Sequence, residues 1–164
     1  MLQTAIASQT AMPEALSNAL NNAPVSADYR QLTLHSHFQP IFSISHRRPV
    51  GYEGLIRCKN KQGENLSPIE VLSIPQNSHD NLALDRLCRR LHMHNFSRQS
   101  CDEAWLFLNL NSQCLVAQRP DAGFMQTLFD QTGIPAHRIV IEILESEIQD
   151  REYLKDLIVH FRSL

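Results

Sequence analysis

Glu53, Asn109 and Glu142 carry oxygen-bearing side chains able to bind a metal, and each stands at the end of a short apolar run. The runs are Pro49-Val50-Gly51-Tyr52, Leu106-Phe107-Leu108 and Ile139-Val140-Ile141. In an α/β barrel the C-terminal strand ends carry the chemistry, so three such endings point to a metal site gathered at one mouth. Taken singly, each has a plainer reading: a glutamate solvated at a strand end, or an asparagine bonding its own backbone in a turn. The recurrence points to one shared site.

Other reactive groups carry less. Cys58, Cys88, Cys101 and Cys114 are far apart and form no CxxC pair, which argues against a zinc site or a redox motif and for reduced, structural thiols. His35 and His37 would share a face on a strand, but no third ligand of matching spacing accompanies them. They and His92/His94 read as surface or rim histidines. Arg86, Arg89 and Arg90 read as a solvated helix face.

The elements that must position the three candidates follow from punctuation and periodicity. Phe38 to Ile44 reads as a strand, His46-Arg47-Arg48-Pro49 as a turn and Val50 to Ile56 as a second strand, together a hairpin. Ser67-Pro68-Ile69-Glu70 combines a capping serine, proline at the first helical position and glutamate three residues on, which starts a helix. A longer helix follows from about Asn81 to Phe96, with Leu84, Leu87, Cys88 and Leu91 on one face. Next come a strand over Ala104 to Leu108, a helix from about Ala122 to Thr132, the break Gly133-Ile134-Pro135 and a strand over Arg138 to Ile143. A last helix from about Asp150 places Leu154, Leu157, Ile158 and Phe161 at helical spacing. This alternation predicts a parallel sheet covered by helices. Residues 1 to 30, rich in Ala, Ser, Thr, Gln and Asn with a helix-like stretch from Pro13 to Leu20, read as an appendage; residues 31–164 form the domain.

With 164 residues, 43% hydrophobic and 20% charged, the chain has the makeup of one soluble domain with an ordinary core. A net charge of -2 and a pI near 6.4 supply no field that would gather DNA. No apolar run approaches the ~18 residues of a membrane span, and the start lacks the basic region of a signal peptide. A cytoplasmic protein is expected.

Five segments taken in order carry a resemblance. They are FQPI at Phe38 to Ile41, GYEGLIR at Gly51 to Arg57, LDRLCRRL at Leu84 to Leu91, LFLNLNSQCL at Leu106 to Leu115 and IVIEILESE at Ile139 to Glu147. From about Leu34 to Leu164 the chain resembles the first half of an EAL domain, the cyclic di-GMP phosphodiesterase family. The resemblance implies an α/β fold of the TIM-like (β/α) barrel type, present here as its first half. It implies metal ligation by Glu53, Asn109 and Glu142, for Mg²⁺ or Mn²⁺, and contact with cyclic di-GMP by Gln39, Leu55 and Arg57. It also implies that Glu145, of an ExxE pattern begun by Glu142, holds an active-site loop.

The chain departs from the family pattern in three places. The signature Glu-Ala-Leu is Glu53-Gly54-Leu55, where loss of a methyl keeps the carboxylate and is expected to be tolerated; Glu14-Ala15-Leu16 has no strand before it and is a decoy. Asn111 stands where serine is usual, and Leu144 where threonine is common, which weakens the setting of the loop. The family continues with further acidic, lysine and glutamine residues beyond the point where this chain reads Arg162-Ser163-Leu164. The expectation is therefore hydrolysis of cyclic di-GMP to the linear dinucleotide in the parent family, and little or none by this chain alone. The alternative is a non-catalytic regulatory module acting by cyclic di-GMP or protein binding. A half barrel leaves open edges, for which a second copy or a partner domain is the expected cover.

Overall fold

The computed structural model describes residues 24–99, 101, 103–111, 122–143 and 151–163. The Pro13 to Leu20 stretch with Glu14, together with Cys114, Leu144 and Glu145, lies outside the described residues. The strands are β1 (Ala27–Tyr29), β2 (Leu32–Ser43), β3 (Arg48–Asn60), β4 (Asn65–Leu66), β5 (Trp105–Leu110) and β6 (Ile139–Ile143). The helices are α1 (Pro68–Leu72), α2 (Ser78–Phe96), α3 (Ala122–Thr132) and α4 (Arg151–Arg162), with a 3₁₀ turn at Ala136–Arg138.

One six-stranded mixed sheet runs β1-β2-β3-β5-β6, with β4 paired to β3 off this path. β2 and β3 form the expected hairpin, antiparallel from Leu32↔Asn60 to Ser43↔Arg48 with a bulge at Ile41/Phe42. β3 with β5, and β5 with β6, are parallel, so the hairpin leads into a succession of strand, helix, strand. The hairpin strands are longer than the apolar runs suggested because polar Thr33, His35 and His37 alternate with Leu32, Leu34 and Phe38, a half-buried pattern. β1 lies in the segment read as an appendage, so the sheet begins a few residues before residue 31.

Helix boundaries follow local chemistry. Ser67 and Glu70 form the reciprocal capping box at α1. α2 starts earlier than expected because Asn77 caps it, accepting from the Asp80 amide at 2.9 Å. Gly133, at φ +68, closes α3 through its amide to the Phe129 carbonyl at 2.9 Å, a left-handed cap that glycine adopts without strain. Arg138 is turn and not strand: its guanidinium holds the carbonyls of Ala104 and Cys101 and so ties the starts of β5 and β6 together.

Two apolar clusters fill the space between sheet and helices. One gathers Leu34, Ile56, Cys58, Val71, Leu84 and Leu91 between the hairpin and α1/α2. The other gathers Met93, Phe96, Leu106, Leu108, Met125, Leu128 and Ile134 between the parallel strands and α2/α3. α2 contributes to both. Each fully buried leucine among them contributes about 1.5–3 kcal/mol. On α4, Leu154 and Phe161 pack towards Leu110 and Ile143, Ile158 stays 39% exposed, and the Leu157 side chain is outside the described set.

Candidate functional site

Strand alternation sorts the candidates onto one face. On β3 the buried Gly54, Ile56 and Cys58 turn towards α2, so Glu53, Leu55 and Arg57 occupy the opposite face. The hairpin register sets Gln39 across from Glu53, His37 across from Leu55 and His35 across from Arg57. Leu108 and Leu110 are buried under the helices while Asn109 between them is exposed, and Glu142 lies between Ile141 and Ile143. Gln39, Glu53, Asn109 and Glu142 thus form a row across β2, β3, β5 and β6.

Within the row, Asn109 Nδ2 donates to Glu53 Oε1 at 2.6 Å, and Asn109 faces Glu142 directly in the parallel ladder. Partial burial raises the Glu142 carboxyl from its ordinary value, and the nearby Glu53 charge raises it further. Arg57 Nη1 donates to the carbonyl of Ile56 at 2.8 Å, farther along the same face. The structure therefore brings Gln39, Glu53, Asn109 and Glu142 together, and places Leu55 and Arg57 beyond them on β3. Glu145 is outside the described residues.

One expectation needs correction. Glu53 does not end its strand: it is an interior residue of the 13-residue β3. What ends near it is the parallel ladder with β5, whose rungs run from Gly51↔Trp105 to Gly54↔Leu108. Beyond Gly54 the strand continues as hairpin. Asn109 and Glu142 are likewise the penultimate residues of their strands.

Two carboxylates and an amide are the hard oxygen donors that suit Mg²⁺, Mn²⁺ or Ca²⁺, and the mutual repulsion of the carboxylates is what a divalent cation would relieve. Asn109, bonded to Glu53 through its nitrogen, retains its carbonyl oxygen for such an ion. The residues fit the group. Among the described residues no cluster of three or more His, Cys, Asp or Glu has metal-binding geometry, so the set depends on the amide.

Behind the row lie groups that the sequence reading misplaced. Arg89 is 6% exposed, not solvated: it forms an ion pair with buried Asp85, stacks on Phe124 with 5.0 Å to the ring centroid and donates to Met125 Sδ at 3.4 Å. Asp85 in turn accepts from the Asn111 amide at 3.2 Å, which fastens the chain just after Asn109 to α2. Burial pushes the Asp85 carboxyl up, against the pull of Arg89. An aspartate beside apolar Leu84, four residues before an arginine, was the available signal. His92 is not at a rim either: it is 5% exposed, and its burial holds its pKa down to about 4.

Comparison with curated protein sequences gave no match. Among solved structures, the chain resembles Klebsiella pneumoniae BlrP1 in a manganese/cyclic di-GMP complex, with TM-score 0.68 and 18% identity over 86% of this chain and 34% of that one. It resembles Bacillus subtilis YkuI, an EAL-domain protein in complex with substrate cyclic di-GMP and calcium, with TM-score 0.66 and 24% identity over 93% and 36%. A third likeness is to the PaMucR phosphodiesterase in its cyclic di-GMP complex, with TM-score 0.65 and 16% identity over 88% and 58%. The chain thus spans about a third of the first two structures, and its mixed sheet and helices match their barrel-like architecture. The EAL domain family model matches residues 17–164, nearly the whole chain, and the chain belongs to the EAL domain family.

Proposed function

We propose that this chain carries a divalent-cation and cyclic di-GMP site of the EAL phosphodiesterase type and works in cyclic di-GMP signalling in the cytoplasm. The observation that supports it most is the Asn109–Glu53 bond of 2.6 Å with Glu142 in register beside it. Glu53, Asn109 and Glu142 hold Mg²⁺ or Mn²⁺; when bound, such an ion polarises a phosphodiester and acidifies water. Arg57, with one Nη engaged by Ile56, offers its remaining donors to a ligand phosphate. Gln39 lies beside Glu53 and Leu55 supplies apolar contact to the dinucleotide, while Glu145 takes the loop-holding role that the family pattern gives it. The manganese and calcium complexes of BlrP1 and YkuI with cyclic di-GMP support this reading. No helix among the described residues is long and apolar enough to cross a membrane.

Calorimetric titration of cyclic di-GMP with Ca²⁺ present, against Glu53→Ala, tests the site. Binding that the variant loses is the expected result; binding by neither protein overturns the proposal. The same samples with Mg²⁺ or Mn²⁺, followed for the linear dinucleotide, separate a phosphodiesterase from a binding module.

A further inference from the structure

A methyl at Gly54 would have nowhere to go. A Cβ built there would stand 2.9 Å from His92 Cγ and 3.2 Å from its Cβ and Cδ2. The imidazole cannot retreat, because its Nδ1 is 2.8 Å from Ser36 Oγ and its edge meets Phe38 at 6.4 Å between centroids.

The Val25 amide donates to Asn95 Oδ1 at 2.6 Å, which fixes the Asn95 amide, and its Nδ2 donates to the Val25 carbonyl at 2.8 Å and to Ser36 Oγ at 3.2 Å. Ser36 Oγ accepts from Asn95 and shares a hydrogen bond with His92 Nδ1, whose direction follows the imidazole tautomer. A chain of bonds thus runs from Val25 through Asn95 and Ser36 to the ring that rests on Gly54. Gly54 is the last rung of the ladder to β5, opposite Leu108, so it adjoins both Glu53 and Asn109.

We propose that His92 is a positioning residue for the metal site: seated on the bare Cα of Gly54, it sets the depth of β3 and so the approach of Glu53 to Asn109. Gly54 and His92 are one unit, in which the ring occupies the space that the alanine methyl of the family signature would fill. This deepens the metal-site reading and rests on it. Glycine is tolerated at this position because His92 fills the space, so restoring Glu-Ala-Leu through Gly54→Ala damages the site, although alanine suits a strand better than glycine does.

The test compares wild type, Gly54→Ala, His92→Ala and Gly54→Ala/His92→Ala. Two readouts are used: Mn²⁺ affinity, and the side-chain amide resonance of Asn109 in metal-free protein, assigned through Asn109→Asp. Gly54→Ala is expected to shift the resonance and weaken Mn²⁺ by about ten- to a hundredfold. The double variant is expected to return the wild-type resonance and to bind within about threefold of wild type. A wild-type resonance in Gly54→Ala, or a double variant as impaired as the single one, overturns the proposal. Should wild type bind no Mn²⁺, the metal-site reading fails while the resonance still decides the positioning. Should Gly54→Ala not fold, His92→Ala decides: a shifted resonance at native circular dichroism supports the role, and an unchanged one overturns it.

Discussion

Glu142 ionises at a cost, because burial and the Glu53 charge both oppose it. A carboxyl whose folded pKa lies above its unfolded value binds its proton more tightly in the folded state, so it adds relative stability at low pH that is lost as pH rises through the folded pKa. Glu142→Gln is therefore expected to raise the melting temperature of metal-free protein slightly at pH 7 and to leave it unchanged below the carboxylate range. Scanning calorimetry at the two pH values checks this. His92 behaves in the opposite sense. Its pKa falls from 6.5 to about 4 in the fold, so the stability of the neutral form is present above 6.5 and is lost as pH falls towards 4. Urea unfolding at pH 7 and pH 4.5 should show a loss of at most about 3 kcal/mol that His92→Gln reduces. The place of Glu142 beside Glu53 was legible in the sequence; the burial of His92 was not. A helix pattern gives the face of a residue but not what the opposite strand places against it, so His92 and Arg89 read as surface groups.

At the scale of elements, the short ladder between β3 and β5 is the critical contact. Gly51 allows it: a Cβ there would meet Phe107 Cε2 at 2.6 Å and the Trp105 carbonyl at 2.8 Å. Gly51→Ala is expected to cost about 1–3 kcal/mol by overpacking, read from urea unfolding. Asp85, which holds the Asn111 amide just past β5, is paired within α2 to Arg89, and Arg89→Ala, which strands the carboxylate, is expected to cost about 3–5 kcal/mol. The alternation of strands and helices was legible because Ile139 to Ile143 and Leu106 to Leu110 are apolar runs bounded by turn residues. The full extent of β3, Arg48–Asn60 and not Val50 to Ile56, was not. It depends on the register with β2, a pairing between segments that local patterns do not encode.

For the whole molecule, the site draws on four strands of one sheet, so a ligand there holds the native state against unfolding as a unit. Cyclic di-GMP with Ca²⁺ at about a hundredfold over Kd should add about 2.7 kcal/mol, seen as a rise in melting temperature absent from Glu53→Ala. The two apolar clusters give the fold a seam. Leu84 and Leu91 of α2 belong to the hairpin cluster, Met93 and Phe96 to the parallel one, and the four rungs between β3 and β5 close the seam on the sheet side. Glu53 lies on one bank and Asn109 with Glu142 on the other. A cation held between them is then a rivet across two plates that share a single spine, α2.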